Sequence, residues 1–434
     1  MIKAPQIISV LLTGIATSLN RPLTRRFWLI AHRWAGLTLA FFLTIAGITG
    51  ALLPFEESLN YATRPGASRA APPHHGAQPL DAVSIAEQVE RQTGGRIAYL
   101  PLEVPRDHAM RMFIAAAPGH PALPYNVVWA DPYSGRVRLA YTWGGIRDGP
   151  ENIMPFLYQL HYGYVAGPWG MITFGIAALV WTLDCFVGFG LTLPIRQRTA
   201  LRSPLAGWWR RWKPAWTVRR HARGHKLNFD LHRASGLWLW PLLLVFAWSG
   251  VALTLPQVER PVMRMFGASD RYTPLQRSHP LAAPQIGRRK AIALGMAELR
   301  TIGARRGFRV GREAMLGYDE GSGTYMLYAR TGLDAVNEGG RTMLWLDGTT
   351  GRPLHWDDPI GRTGADRLST WLQMLHMAEV FGLPYRIFVS VLGLAVTMLS
   401  VTGVLIWLKK RSARLAGPVR ERRRALQERQ EIAA

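Results

Sequence analysis

The sequence predicts an integral membrane protein, mainly α-helical, with four transmembrane helices from an internal duplication and two polar α+β domains. Apolar residues make up nearly half of its 434 positions, and they are concentrated in four blocks. Each block exceeds the roughly 20 residues that a helix needs to cross a bilayer core. The blocks are Phe27–Phe55, Trp169–Leu193, Leu231–Leu255 and Tyr385–Leu408.

A repeated motif at the start of two of these blocks indicates the duplication. The residues from His32 to Leu39 return from His232 to Leu239 at an offset of 200, and eight of 22 positions from 32 onward are identical. A second pair of motifs, Leu160-His161 and Leu375-His376, precedes the other two blocks. Each half therefore reads as a His, an apolar span, a polar domain, a second His and a second span.

The distribution of charge predicts the orientation. Between Arg196 and Lys226 lie ten Lys or Arg residues and no acid, and the tail from Lys409 carries nine basic residues against three Glu. Residues 55–155 are balanced, with nine basic and ten acidic side chains. This positive-inside pattern places both termini and the 196–230 loop in the cytoplasm, and the polar domains therefore on the opposite side of the membrane.

The predicted segments follow in order. They are a cytoplasmic N-terminal segment (1–26), the first span (27–55), the first polar domain (56–155), an outer helix with the second span (156–195), the basic loop (196–230), the third span (231–255), the second polar domain (256–365), an outer helix with the fourth span (366–408) and a basic tail (409–434).

Each polar domain is expected to be one helix on a small antiparallel sheet. In the first, the helix is Leu80–Gln92 and the strands are Arg96–Leu102, Met110–Ala116, Tyr125–Ala130 and Arg136–Tyr141. In the second, the helix is Arg289–Ile302 and the strands are Gly307–Gly311, Thr324–Ala329 and Thr342–Leu346, followed by a helix at Asp366–Val380.

The basic loop also raises the question of nucleic acid. The net charge is +24, and four Trp residues at positions 208, 209, 212 and 216 lie among its Arg residues. Packing of Trp and Arg against anionic lipid explains the same pattern, so we expect membrane lipid and no nucleic acid as a partner. The loop could also dock an acidic electron donor.

Four His residues fall at matching places in the two halves and are the candidate ligands of a redox cofactor. His32 and His232 lie at the predicted cytoplasmic ends of their spans, and His161 and His376 lie at the outer ends. Two facing imidazoles can hold a haem iron from both sides. If the halves are related by a two-fold axis, two haems would lie about 20 Å apart across a core of ~30 Å. Interfacial His residues without a cofactor are the alternative.

Further residues near these His positions are candidates for secondary roles. Arg33 and Arg233 could pair with haem propionates or be ordinary membrane-flanking cations. Gly36, Gly236, Gly50 and Gly250 could admit a flat macrocycle or allow close helix packing. His221, His225, Met374 and Met377 are less favoured ligands. With Cys185 as the only cysteine, a disulfide or thiolate site within one chain is excluded, and two His on each side make a poor zinc or copper site.

These motifs resemble those of the PepSY-associated transmembrane family and, within it, the inner-membrane reductases of iron–siderophore uptake. The resemblance is carried by the His-Arg-x-x-Gly-Leu openings at 32 and 232, the two Leu-His pairs, and the Asp-Pro-Tyr-Ser-Gly-Arg and Asp-Gly-Thr-Thr-Gly-Arg turns that begin at Asp131 and Asp347. It covers nearly everything from residue 25 to residue 412.

The resemblance implies two periplasmic PepSY domains, haem b, and one-electron reduction of a ferric siderophore with release of Fe(II). No Gly-rich dinucleotide fingerprint follows a strand, so an unidentified cytoplasmic partner or quinol is expected to donate the electrons. No acid or base residue is assigned to catalysis, because electron transfer requires none. A haem-free PepSY scaffold or sensor that regulates a periplasmic partner is the competing hypothesis.

Overall fold

The computed structural model describes residues 22–149, 152–194, 205–270 and 272–433. Most of the predicted N-terminal segment and the start of the basic loop lie outside the described residues. The chain divides into two compact units. Among the described residues, the helical unit comprises those within 1–51, 161–259 and 388–434, and the α/β unit comprises those within 52–160 and 260–387.

The helices are α1 (Pro22–Leu52), α2 (Glu56–Thr63), α3 (Pro65–Ser68), α4 (Ala82–Thr93), α5 (Ile153–His161), α6 (Gly167–Thr192), α7 (Leu205–Trp212), α8 (His225–Trp238), α9 (Trp240–Thr254), α10 (Pro256–Met265), α11 (Arg288–Arg306), α12 (Gly364–His376) and α13 (Gly382–Ala433). The strands are β1 (Gly95–Arg96), β2 (Tyr99–Pro101), β3 (Met110–Phe113), β4 (Ala115–Ala116), β5 (Val127–Ala130), β6 (Val137–Tyr141), β7 (Val310–Asp319), β8 (Thr324–Thr331), β9 (Thr342–Asp347) and β10 (Pro353–Asp357).

The helical unit contains the candidate membrane spans. Among the described residues, α1, α6 and α13 belong to helical stretches long and apolar enough to cross a membrane, and α8 with α9 makes a fourth span if the pair is counted as one. The third span was expected to be a single helix, but α8 and α9 meet at an angle of 71°. Pro241, near the start of α9, lacks an N–H group and clashes with the preceding turn, which favours a break there.

Small residues let the spans approach closely. A Cβ atom added at Gly393 of α13 would lie 2.6 Å from the carbonyl oxygen of Gly47 in α1. A Cβ atom at Gly250 of α9 would lie 3.3 Å from the methyl group of Ala178 in α6. Gly250 therefore serves helix packing, which is one of the two roles that the sequence left open for it.

The α/β unit contains three antiparallel sheets. β1 pairs with β4, β3–β5–β6 form a three-stranded sheet, and β10–β9–β8–β7–β2 form a five-stranded sheet. Helix α4 packs its buried face, which includes Ile85 and Val89, on the strands of the first segment. Helix α11 packs Met296 and Leu299 on β7, β8 and β9.

The strand expected at Gly307–Gly311 is the longer β7, Val310–Asp319, and the strand expected at Arg96–Leu102 is divided. Instead of a continuous strand from Arg96 to Leu102 in the first sheet, the chain forms two short strands, and Tyr99–Pro101 pairs with Met315–Gly317 of β7. Gly317 permits this because it has no side chain, and the Tyr99 ring lies where its Cβ atom would be. The two polar segments thereby share one sheet. Arg288 of α11 also donates hydrogen bonds to both carboxylate oxygens of Glu90 in α4.

The same turn occurs once in each polar segment. Asp131 Oδ1 accepts hydrogen bonds from the backbone N–H groups of Tyr133 and Ser134, and its carbonyl accepts from Gly135. Asp347 Oδ1 accepts from the N–H groups of Thr349 and Thr350, and its carbonyl accepts from Gly351. Both glycines have positive φ angles, 65° and 77°, which explains their place in the motif.

An aromatic cluster also occurs twice. Tyr61 stacks on His108 at 4.1 Å and meets Trp129 edge-on. Tyr272 stacks on His355 at 4.4 Å and meets Trp345 edge-on. The two tryptophans occupy the matching motif positions at an offset of 216. The two polar segments therefore share local packing as well as sequence motifs.

Candidate functional site

The structure brings His32 of α1 and His232 of α8 together inside the helical unit. The centroids of their rings are 6.4 Å apart, and the ring planes are tilted by 56°. The two residues are 200 positions apart in sequence, so their meeting depends on the packing of the two halves. This is the pair that the repeat predicted as ligands on one side of the membrane.

Each of the two imidazoles is oriented through its Nδ1 atom. His32 Nδ1 lies 2.8 Å from Asp184 Oδ1 and 3.0 Å from Oδ2, so it donates to the carboxylate of α6. His232 Nδ1 lies 3.0 Å from the carbonyl oxygen of Leu399 and 3.2 Å from Thr402 Oγ1, both in α13. Among the described residues no hydrogen bond uses Nε2 of either ring. A fixed Nδ1–H leaves Nε2 with the lone pair that a metal ion requires.

Helices α6 and α13 each place a glycine against one of the two imidazole rings. On α6, Gly188 lies one turn after Asp184, and a Cβ atom there would lie 3.3 Å from His32 Cε1. On α13, Gly403 lies one turn after Leu399, and its Cβ atom would lie 3.2 Å from His232 Cε1. A side chain at either glycine would crowd the ring against it.

A cavity of about 360 Å³ surrounds the two rings. Its size lies in the usual range of small-molecule and cofactor sites, about 300–1,000 Å³, and most of its lining is apolar. Gly36 and Gly236, each one turn after a His, are in that lining. A Cβ atom at Gly36 would meet nothing within 4 Å, and one at Gly236 would meet only Leu399, at 3.9 Å. Both glycines therefore border open space in the cavity, which a flat macrocycle would need in order to fit there.

Arg33 and Arg233 occupy the same position in the repeated motif, but they differ in their hydrogen bonds and ion pairs. Arg233 donates to the Pro214 carbonyl oxygen at 2.6 Å and lies 3.4 Å from the buried carboxylate of Asp230. Its Nε atom is buried without a hydrogen bond. Arg33 also lines the cavity, and it makes no hydrogen bond or ion pair with any described residue. Arg33 is therefore the cation of the pair that is available to an acidic group in the cavity.

His161, predicted as a ligand on the other side, ends α5 and packs against α1. Its Nδ1 lies 2.9 Å from Thr49 Oγ1, and a Cβ atom at Gly50 would lie 2.8 Å from its Cε1. Gly50 thus makes room for an imidazole. Burial lowers the pKa of His161 to about 4 despite a hydrogen bond with the Ala46 carbonyl, so the ring is neutral at neutral pH. Neutral imidazole is the form that ligates metals.

The pattern of the PepSY-associated TM region family matches residues 29–410. The match covers most of the chain, including all four candidate His ligands and both polar segments. The chain belongs to this family. Among curated proteins no significant match is found.

The remaining His and Met candidates of this PepSY-associated protein lie elsewhere. His376 ends α12 and is part of the α/β unit. Met374 is buried in an apolar cluster with Val336 and Val380, which identifies it as a core residue. His221 and His225 are absent from the lining of the cavity around His32 and His232.

The geometry around His32 and His232 fits a haem iron. Metal–imidazole bonds are about 2.0–2.1 Å long, so two rings on one ion have centroids about 6 Å apart, close to the 6.4 Å observed. Within the described ranges no group of three or more His, Cys, Asp or Glu residues could hold a metal ion. Two imidazoles are too few protein ligands for a zinc site, whereas a haem would bring four nitrogen ligands of its own and would need only two from the protein. Asp184 was missed as a functional residue, although it is the only acid in the apolar blocks.

Proposed function

We propose that this protein is a haem-containing membrane reductase that passes electrons to a ferric siderophore and releases Fe(II). The observation that carries the proposal is the pair His32 and His232, with ring centroids 6.4 Å apart and both Nε2 atoms free among the described residues. Family membership supports a membrane protein of the PepSY-associated family. The proposed enzyme contains two haem b groups, and the sequence repeat predicts His161 and His376 as the ligands of the second.

Each residue of the cavity has a role in this proposal. His32 and His232 would hold the iron of the first haem, and Asp184 would fix the tautomer of His32. Arg33 would pair with a propionate, with Arg233 as a weaker second partner because Asp230 and Pro214 already hold it. The apolar walls would exclude water. Bound haem supplies reversible one-electron transfer between ferric and ferrous iron.

The substrate explains why no acid or base is needed. A siderophore binds Fe(III) far more tightly than Fe(II), so one electron per iron atom is enough to release the metal with the chelator intact. The electrons would come from quinol or from a cytoplasmic partner docked on the basic loop. The charge asymmetry of the sequence supports an inner-membrane location with both termini in the cytoplasm and the α/β unit in the periplasm. The repeated turn and the repeated Tyr–His–Trp cluster support the duplication.

The test is stoichiometric oxidation of the purified protein. Detergent-purified protein is reduced with dithionite under anaerobic conditions, freed of excess reductant and mixed with a ferric siderophore while a ferrous chelator reports Fe(II). The proposal predicts loss of the reduced haem bands together with one Fe(II) per electron. His32→Ala should lose one haem and slow the reaction, whereas His221→Ala, a His outside the cavity lining, should behave as wild type. A colourless wild-type protein would instead favour the haem-free scaffold.

A further inference from the structure

The end of the basic loop folds onto helix α6 at the edge of the cavity. Helix α7 is followed by a 3₁₀ turn, Lys213–Trp216. Trp212, the last residue of α7, donates from Nε1 to Thr192 Oγ1 at 3.3 Å and packs its ring against Phe189, with centroids 5.9 Å apart. Phe189 and Thr192 both line the cavity. Helix α7 is therefore separated from the cavity by one layer of side chains.

The rest of this segment is tied to helix α8, which carries His232. Arg219 donates from Nε and Nη2 to the carboxylate of Asp230, at 2.7 and 3.0 Å. Asp230 is fully buried, so this ion pair is costly to break. Trp238 Nε1 donates to the carbonyl oxygen of Trp216 at 3.0 Å. These contacts fix the segment against the helix that presents one of the two proposed iron ligands.

The four Trp residues of the segment form one cluster. The centroid of the Trp212 ring lies 5.0 Å from that of Trp208, 5.5 Å from that of Trp209 and 5.1 Å from that of Trp216. Of the four, Trp209 alone is exposed, at 49%. Packing within the protein thus accounts for most of this aromatic surface without lipid. Because Trp212 contacts both Trp209 and Phe189, the cluster connects the surface with the cavity lining.

The surface around the Trp cluster is strongly basic. Seven Lys or Arg residues and no acid lie between Trp208 and Lys226, and all seven are exposed. Arg219 pairs with Asp230, whereas the other six form no salt bridge with any described residue. These six are Arg210, Arg211, Lys213, Arg220, Arg223 and Lys226. Unpaired charges of one sign on one surface attract a partner of the opposite sign and speed its encounter.

We infer that residues 207–226 are the docking surface of an acidic one-electron carrier protein, which delivers electrons to the cavity of the helical unit. The reduced carrier would lose one electron, and ferric iron held by His32 and His232 would become ferrous, with no bond made or broken and no proton moved. A quinol would approach through the bilayer and would not require exposed cations. The inference rests on the proposed function, because it requires a redox centre in the cavity.

The first part of the test measures binding. Oxidised flavodoxin, a small acidic flavoprotein, is the probe, and its association with detergent-purified, haem-depleted protein is followed by biolayer interferometry. Screening lengths are about 10 Å at 0.1 M salt and about 3 Å at 1 M, so association with wild type should slow as salt rises. Charged surfaces raise association rates about 10–10³-fold, so the variant Arg210→Gln, Arg211→Gln, Lys213→Gln should associate at least about tenfold more slowly at low salt. At 1 M salt the two proteins should behave alike.

The matched control removes the same number of charges from the α/β unit. Arg300, Arg306 and Arg309 are exposed and form no salt bridge with any described residue. The variant Arg300→Gln, Arg306→Gln, Arg309→Gln should bind flavodoxin as wild type does. The Tm of each haem-depleted protein checks its fold. If the loop variant does not fold, Arg210→Gln alone should show the same salt dependence with a smaller effect.

The second part measures electron delivery to haem-replete protein. Flavodoxin hydroquinone is mixed with each variant in a stopped-flow instrument, and the appearance of the reduced haem bands is recorded. The loop variant should be slower by the same factor as in the binding measurement, and only at low salt. Duroquinol, an uncharged quinol, should reduce all three proteins at one rate, because it does not use the basic surface.

The two proposals fail in different ways. A wild-type protein that purifies from haem-replete cells without haem overturns the proposed function. A haem-replete protein whose association with flavodoxin is the same in wild type and the loop variant overturns only the inference about the docking surface. The inference is also wrong if the loop variant loses copurified phosphatidylglycerol while its association with flavodoxin is unchanged, since the surface would then bind lipid.

Discussion

Replacing Gly36 by Leu should prevent the binding of one haem without destabilising the fold. Gly36 lies in α1, one turn after His32, and a Cβ atom there would meet nothing within 4 Å. The larger side chain would extend into the cavity that the haem is proposed to occupy. In a helix interior Gly is less favourable than Ala by about 0.8–1 kcal/mol, and Leu ranks next to Ala, so the substitution also favours the helix. The variant should therefore fold at least as well as wild type and bind one haem fewer.

Gly47→Leu in the same helix is the matched control. Its Cβ atom would lie 2.6 Å from the carbonyl oxygen of Gly393, a backbone atom that cannot move aside cheaply. Overpacking of this kind typically costs about 1–3 kcal/mol, which exceeds the gain in helix propensity. Gly47→Leu should thus lower stability, whereas Gly36→Leu should not.

The assay has two parts. Apparent Tm in detergent is measured on protein from haem-depleted cells, so that haem binding does not contribute to stability. The haem count per chain is measured on protein from haem-replete cells. We expect an unchanged or higher Tm and a count reduced from two to one for Gly36→Leu, and a lower Tm for Gly47→Leu. A Gly36→Leu protein that retains both haems with unaltered bands would refute the placement of haem in this cavity.

Two further predictions concern charged residues. Arg33→Gln should speed haem transfer to an apoprotein acceptor about 10–100-fold, as expected for the loss of a charge-assisted hydrogen bond of about 1.5–3 kcal/mol, while the Tm of the haem-depleted protein stays unchanged. Arg233→Gln should instead lower that Tm, because it removes a partner of the buried Asp230; equal effects of the two variants would contradict the asymmetry. In the α/β unit, the pKa of Asp81 is lowered to about 2, because hydrogen bonds, among them that from Arg289, outweigh the opposing effect of burial. A lowered carboxyl pKa stabilises the fold above the ordinary value of 3.8 and ceases to do so as the pH falls toward 2. The Tm difference between wild type and Asp81→Asn should accordingly be present at pH 5 and vanish near pH 2, and a difference that persists there would contradict this assignment.

The sequence predicts the parts of this protein that depend on local pattern. Long apolar runs predicted the membrane spans, and Asp-x-x-x-Gly spacing predicted the turns at Asp131 and Asp347. The repeat at an offset of 200 predicted that His32 and His232 would be related, and the structure places their rings together. Their role as haem ligands stays a prediction.

The rest depends on contacts that no local pattern encodes. Arg33 and Arg233 are equivalent in the motif, but only Arg233 finds Asp230 and Pro214 beside it after folding. The transfer of Tyr99–Pro101 to the second sheet depends on the absence of a side chain at Gly317, more than 200 residues away. The functional role of Asp184, in contrast, could have been predicted from the sequence, because a lone acid in an apolar block is costly and indicates function.

The most direct test of the central claim is the visible spectrum of the detergent-purified protein, oxidised and dithionite-reduced, with a pyridine haemochrome count per chain. We expect two b-type haems with sharp reduced bands, one of which is lost in either His32→Ala or His232→Ala. A colourless protein from haem-replete cells, or a haem count that both substitutions leave unchanged, would contradict it.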